Sequence, residues 1–171
     1  MGVKKPPTRP ELQARRSDNN KRRLMADPPA ELRERLLANA NYEGSPKHKR
    51  NPFAFGLQPY LGEKGDPTLC DEDAGFTPEQ MANIPGLIDR GLRAGLIGEN
   101  NIIWTVADSG WIFEARCTNV GQTSYHGYPV RFSEAIAELV YSRYAAWALH
   151  SGSADEKKAA SNCRALYGFR R

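Results

Sequence analysis

The chain has 171 residues, 40% of them apolar, and its 24 Lys and Arg against 20 Asp and Glu give a formal net charge of +4. This length fits one domain, or one domain with a tail, and the apolar residues suffice for a modest core. No run approaches the roughly 18 apolar residues of a transmembrane helix. The N-terminal stretch MGVKKPPTRP lacks the apolar core of a secretory signal peptide. We therefore expect a cytoplasmic protein without a membrane partner.

Positive charge is concentrated in the first third of the sequence. Residues 1–50 hold 13 Lys and Arg against 6 Asp and Glu, a net of 13 − 6 = +7, whereas residues 51–171 hold 11 against 14, a net of −3. Residues 1–26 also lack an apolar stripe, so we predict a disordered basic arm there and one globular domain over 27–171. A basic arm indicates either a polyanionic partner, most often nucleic acid, or a solubilising tail.

The elements predicted before residue 100 are two helices with an irregular segment between them. The first helix is capped by Asp27 and ends near residues 39–41. Residues 42–68 contain four Pro and four Gly, which exclude long regular elements, but their aromatic residues are too apolar for a free linker. The capping-box pattern Thr77-Pro78-Glu79-Gln80 starts the second helix, which Pro85 should kink or split.

The clearest strand signal is a β-hairpin. Residues 101–107 and 111–118 are rich in β-branched and aromatic side chains, and Asp108-Ser109-Gly110 joins them with Gly where φ is positive. Alternation along the second strand predicts two faces. The expected core face carries Trp111, Phe113, Ala115 and Cys117, and the expected half-exposed face carries Ile112, Glu114, Arg116 and Thr118.

A loop is predicted over 119–131, followed by a helix from Ser133 to about His150 and another from Ser153 to Leu166. The predicted fold class is therefore α+β, with a β-hairpin or small antiparallel sheet packed on three to four helices. The residues expected in or near the core are Leu87, Leu92, Trp104, Phe113, Ile136, Leu139 and Val140.

The helix end at residues 89–97 and the hairpin after it resemble the helix-plus-wing half of winged-helix proteins, over roughly forty residues. The resemblance implies a DNA-binding regulator in which Arg90 and Arg93 contact phosphate or the groove.

The three cysteines, Cys70, Cys117 and Cys163, are far apart and form no C-x-x-C pair. Neither a disulfide framework nor a zinc ribbon is predicted. No H-x-x-x-H pair or cluster of Asp indicates a metal site, and no cofactor is expected.

Two segments, residues 42–50 and 125–131, hold polar and aromatic side chains that packing does not require. Both are expected to be loops whose Gly and Pro fix the backbone, and such loops commonly carry functional sites. The second segment follows the strand of Glu114 and Arg116. We therefore expect these two side chains and His126 along one edge of the fold.

The patterns Y-x-G-x-P-x-H-K over residues 42–49 and Y-H-G-Y-P over residues 125–129 occur here with Leu69-Cys70-Asp71. Together they resemble a group of small bacterial proteins. The resemblance covers residues 42–130 and implies no activity. It indicates only that the two segments belong to one site.

Cleavage of RNA without a metal needs a base for the 2′-hydroxyl proton, an acid for the leaving oxygen, and cations that stabilise the phosphate. Histidine suits both proton transfers near neutral pH. We therefore predict a metal-independent endoribonuclease, a toxin or defence effector, with His48 and His126 as acid and base in either order. Glu114 is an alternative base, and Arg116 would bind the phosphate. The other predicted contacts with nucleic acid, RNA favoured over DNA, are Arg22, Arg23, Tyr42, Lys49, Arg50 and Tyr125.

Each of these residues also has an ordinary structural interpretation. Glu114 and Arg116 fit a solvated strand face, His48 fits a continuation of the basic arm, and His126 fits a loop histidine bound to a backbone carbonyl. Two alternative functions remain. One is a non-catalytic nucleic-acid-binding module, and the other is a component of a protein assembly, docked through apolar residues at 53–60.

Overall fold

The centre of the fold is a four-stranded sheet. The computed structural model describes residues 22–63, 65–117 and 123–170. The strands are Asn41–Tyr42 (β1), Ile103–Val106 (β2), Ile112–Cys117 (β3) and Ser124–Pro129 (β4). They stand in the order β1-β4-β3-β2, with β3 antiparallel to both neighbours and β1 parallel to β4. With the helices described below, this confirms the α+β class.

The predicted hairpin is formed by β2 and β3, whose register sets Trp104 opposite Glu114. Its turn requires glycine at position 110. There φ is +92°, and a Cβ atom would lie 2.5 Å from the backbone carbon of Asn162. An L-residue would meet both a strained backbone and a clash that only backbone movement relieves.

The two faces of β3 differ from the expectation. Ile112 and Glu114, predicted on the half-exposed face, are fully buried with 0% exposure. Phe113 and Ala115, predicted on the core face, are only half-buried. Apolar clusters cover both faces of the sheet, so alternation along one strand does not identify the more buried face. Thr118 lies outside the described residues.

The predicted loop over 119–131 is wrong for its second half, because residues 124–129 form β4. Gly127 and Pro129 are residues that usually interrupt strands, but both belong to β4 here. A Cβ atom at Gly127 would lie 3.3 Å from the carbonyl oxygen of Glu114, so the small residue permits close pairing with β3. Pro129 is the last residue of the strand, where its missing N–H costs little.

Within the described residues, four α-helices pack on the sheet or on one another: Ala30–Asn39 (α1), Ile84–Arg93 (α2), Ile136–Ser151 (α3) and Ala154–Tyr167 (α4). Both predicted capping boxes are confirmed, at Thr77 and at Ser153. The first opens a 3-10 helix over Pro78–Asn83, and α2 follows directly with Pro85 in its first turn, so the predicted helix is divided in two just before Pro85. Ser133 does not cap α3, whose N-cap residue is Ala135.

One apolar cluster lies on each face of the sheet. Trp104, Ile136 and Val140 belong to the cluster formed with α3 and α4. Ile103 and Leu92 belong to the one formed with α1 and α2. The prediction that Leu139 is a core residue is wrong. It is 47% exposed, because the buried stripe of α3 runs through Ile136, Ala137, Val140, Tyr144 and Ala148.

Residues 22–25, at the end of the predicted arm, contact the globular body. Leu24 forms a β-bridge with Gly98, and the amide of Met25 donates to the carbonyl of Ile97 at 2.8 Å. Residues 1–21 lie outside the described residues. No helix within the described ranges is both long enough and apolar enough to span a bilayer.

The structure does not confirm the winged-helix resemblance, although α2 does precede a hairpin. Arg90 donates to the carbonyl of Val106 and to Asp108. Arg93 pairs with Asp89 and Glu156. Both side chains that the resemblance assigns to DNA therefore have partners within the fold.

Candidate functional site

The two polar segments predicted to share a site do converge. Tyr42 of β1 pairs with Tyr125 of β4, and the amide of Glu43 donates to the carbonyl of Tyr125 at 2.9 Å. The chain beyond β1 brings His48 onto β4. The ring of His48 stacks on Tyr128 at 4.6 Å between centroids and lies 6.1 Å from the ring of His126, with the two imidazole planes 15° apart.

Residues 69–71 hold the first segment in place. The amide of Cys70 donates to the carbonyl of His48 at 2.9 Å, and its thiol lies 3.5 Å from the carbonyl of Gly127. Asp71 accepts from the amides of Arg50 and Asn51. The Leu69-Cys70-Asp71 pattern therefore fastens His48 against β4.

His48 has a defined tautomer. Its Nδ1 lies 2.9 Å from the carbonyl oxygen of Thr68. A carbonyl oxygen only accepts, so Nδ1 carries the proton and Nε2 of the neutral ring is an acceptor. Burial lowers the pKa of His48, and the nearby positive groups Lys47 and Lys49 lower it further, against the hydrogen bond to Thr68. A neutral imidazole with a free acceptor nitrogen suits a general base.

His126 lies in a more cationic environment. The register of β3 and β4 sets it opposite Arg116, whose side chain is 38% exposed. Burial lowers the pKa of His126, and the charges of Arg116 and Lys47 lower it further, while Glu114 acts in the opposite direction. The protonated form of such a ring is a stronger acid than free imidazolium.

Glu114 accepts four hydrogen bonds in the centre of this cluster. Its Oε1 accepts from Arg116 Nε at 2.6 Å and from the Tyr128 hydroxyl at 2.5 Å. Its Oε2 accepts from Arg22 Nε at 2.7 Å and from Trp104 Nε1 at 2.8 Å. Burial alone would raise the pKa of Glu114, but Arg22, Tyr128 and Arg116 together lower it.

These contacts assign Glu114 a different role from the alternative base expected from the sequence. Both of its oxygens are occupied, it is fully buried, and its lowered pKa makes it a weak proton acceptor. What the carboxylate does is hold Arg116 and Tyr128 in fixed positions beside the two histidines. The interpretation of Glu114 as a solvated surface residue is wrong.

The predicted nucleic-acid contacts divide into exposed and buried residues. Arg50 is 75% exposed along its side chain, and Arg23 is also exposed. Lys49 is 1% exposed, with its Nζ atom 5.1 Å from the centre of the Phe55 ring. Tyr125 is 1% exposed and donates its hydroxyl to the carbonyl of Asn101.

Two further contact residues are partly or largely enclosed. Tyr42 is half-buried, and Arg22 is 10% exposed and paired with two carboxylates. Burial raises the pKa of the Tyr42 hydroxyl, so it stays protonated. Lys49, Tyr125 and Arg22 are thus parts of the scaffold around the site.

Sequence reasoning missed two residues of the site, Tyr128 and Lys47. Tyr128 lies two residues beyond His126, so a strand at 124–129 would have placed both side chains on one face. Because a loop was predicted over 119–131, the two-residue spacing of His126 and Tyr128 carried no information about a shared face. Lys47 is next to His48 in the segment 42–50, and its charge acts on both imidazoles.

A cavity of about 50 Å³ lies between the sheet and α2, lined mainly by apolar side chains such as Phe76, Leu87 and Phe113. His48 and His126 are not among its lining, but Glu114, Tyr42 and Cys70 are, so the cavity borders the scaffold of the candidate site. Among the described residues, no group of three or more His, Cys, Asp and Glu is placed to hold a metal ion.

Comparison with models of known protein families, with curated proteins and with solved structures found no match to this chain. Its function is therefore argued from the geometry of the site.

Proposed function

We propose that this protein is a metal-independent endoribonuclease that acts in the cytoplasm as a toxin or defence effector. The observation that carries the proposal is the pair of near-parallel imidazoles, His48 and His126, 6.1 Å apart and next to Arg116. Imidazole nitrogens form hydrogen bonds of about 3 Å in the plane of the ring, so the proposal requires both rings to present a nitrogen to one phosphodiester group at a common edge of the pair.

The residues support a specific division of labour. Nε2 of His48 takes the proton of the ribose 2′-hydroxyl, and the 2′-oxygen forms a bond to phosphorus. The bond from phosphorus to the 5′-oxygen breaks, and the imidazolium of His126 donates a proton to that oxygen. Arg116 and Lys47 stabilise the additional negative charge on the phosphate. The products are a 2′,3′-cyclic phosphate and a 5′-hydroxyl end.

RNA is the proposed substrate because this reaction uses the 2′-hydroxyl, which DNA lacks. The basic residues of 1–26 other than Arg22, which is paired within the fold, supply affinity for the phosphate backbone that does not depend on sequence. Arg50 is an exposed cation in the segment that carries His48, and it extends this binding next to the reacting group.

The direct test is cleavage of a labelled RNA and a single-stranded DNA of the same sequence in EDTA. His48→Gln and His126→Gln should each abolish RNA cleavage. His150→Gln, at an exposed histidine near the end of α3, is the matched control and should cleave as the native protein does. Intact RNA with the native protein, or undiminished cleavage by either site variant, contradicts the proposal.

The second candidate is a nucleic-acid-binding module without catalysis. The exposed Arg50 favours it, together with the net charge of +7 in residues 1–50. The DNA contacts implied by the winged-helix resemblance receive no support, because Arg90 and Arg93 are engaged within the fold. Salt-sensitive binding without cleavage in the same assay would favour this candidate.

A further inference from the structure

Arg22 brings the N-terminal part of the chain into the candidate site. Its Nε donates to Glu114 Oε2 at 2.7 Å, and its Nη1 donates to Glu134 Oε1 at 2.5 Å. The side chain is 10% exposed, and the two carboxylates come from β3 and from the turn before α3. This guanidinium therefore links Glu114, in the site, to Glu134, in the turn that precedes α3.

The backbone next to Arg22 is fixed by contacts that do not involve its charge. Residues 22–25, here named the strap, are held by the bridge from Leu24 to Gly98 and by the hydrogen bond from Met25 to Ile97. Arg143 of α3 donates to the carbonyls of Met25 and Gly95. Loss of the Arg22 charge alone should therefore leave the strap in place.

The two oxygens of Glu114 have different partners. Oε2 is occupied by Arg22 and Trp104, and Oε1 is occupied by Arg116 and Tyr128. A buried carboxylate is stable only with compensating charge and hydrogen bonds. If Arg22 is absent, the nearest remaining cation in this network is Arg116, whose side chain is 38% exposed and already donates to Oε1.

From these contacts we infer that Arg22 is a positioning residue: by occupying Oε2 of Glu114, it keeps Arg116 on Oε1, beside His126 and the phosphate. The inference rests on the proposed function for its catalytic consequence. Its geometric content, that Arg22 fixes where Arg116 lies, is independent of any activity.

The test replaces Arg22 with Gln and follows the imidazole of His126 by NMR during a pH titration. Among the described residues, the ionisable groups near His126 include Arg116 and Glu114 from β3, Lys47 and His48 from the segment after β1, and Tyr128 of β4. Because Arg116 lowers the pKa of His126, its movement toward Glu114 should raise that pKa in R22Q. The exposed Lys158 of α4 gives the matched control K158Q, which should not change it.

A double-variant comparison separates positioning from a general structural effect. In R116Q the pKa of His126 should also rise, and adding R22Q to R116Q should change it less than R22Q changes it in the native protein, because Arg22 acts chiefly through Arg116. In the RNA assay, R22Q should lower kcat about 100-fold, the size expected for a misplaced catalytic group. R22K keeps a cation at Oε2 but lacks the planar fork with which Arg22 reaches both carboxylates, so its His126 pKa should lie between those of the native protein and R116Q.

An unchanged His126 pKa in folded R22Q overturns the inference. If R22Q does not fold, the same titration is made with R22K. A His126 pKa in R22K equal to the native value then overturns the inference. If the native protein leaves RNA intact while R22Q shows the expected rise in the pKa of His126, the proposed ribonuclease is refuted and the positioning role remains supported. The two failures are thus distinguishable.

Discussion

Replacing Glu114 with Gln should destabilise the fold strongly. The carboxylate is fully buried and accepts from Arg22, Arg116, Trp104 and Tyr128. The carboxamide keeps one acceptor oxygen and turns an N–H₂ group toward side chains that donate. It also leaves two guanidinium groups without the central negative charge. Removing one partner of a buried ion pair costs about 3–5 kcal/mol, and we expect a loss of that size.

The assay for Glu114→Gln is urea unfolding followed by tryptophan fluorescence at constant pH. Glu72→Gln is the matched control, because the Glu72 carboxylate pairs with Arg50 at 3.4 Å on the surface, where its side chain is 41% exposed. Such a pair contributes about 0–1 kcal/mol. A Glu114→Gln variant no less stable than Glu72→Gln would refute the account of Glu114 as the electrostatic centre of the site.

Three further predictions follow from the pKa shifts and from the turn. The pKa values of His48 and His126 lie below their ordinary value of 6.5, so below pH 6.5 the unfolded chain binds protons that the folded chain does not. The free energy of unfolding should therefore fall as pH drops through this range, with a shallower slope in the His48→Gln/His126→Gln variant. Because the pKa of the proposed base and that of the proposed acid both lie below 6.5, kcat/KM for RNA should depend on pH as a bell-shaped curve with a maximum below pH 6.5. A maximum above pH 8 would contradict the assignment of both histidines. Gly110→Ala should cost about 2–3 kcal/mol through its clash and strained φ, more than Gly56→Ala, which has positive φ but no atom within 4 Å of the added Cβ.

The local elements with strong chemical signals were predictable from the sequence. Ser153 with Glu156, and Thr77 with Gln80, are capping boxes, and the structure has both. The hairpin turn was predictable from Gly110, because few other residues tolerate its positive φ. These signals act over three or four residues, so one sequence is sufficient to detect them.

The long-range arrangement was not predictable in the same way. β4 contains Gly127 and Pro129, whose local preference is against a strand, and only pairing with β3 overrides it. The burial of Glu114 depends on Arg22, which is 92 residues away in the chain. The resemblance of the two motifs indicated a shared site, but the sequence left open whether the two segments touch. The separation of His48 and His126 and the tautomer of His48 depend on contacts with Thr68 and Tyr128 that no local pattern encodes.

The central claim is that His48 and His126 cleave RNA through the ribose 2′-hydroxyl. The most direct measurement uses a DNA oligonucleotide with a single ribonucleotide, incubated in EDTA, with its product ends identified by mass spectrometry. The account predicts one cut, on the 3′ side of the ribonucleotide, leaving a 2′,3′-cyclic phosphate and a 5′-hydroxyl, and no cut when the 2′-hydroxyl is methylated. An uncut oligonucleotide, or cleavage that survives 2′-O-methylation, would contradict it.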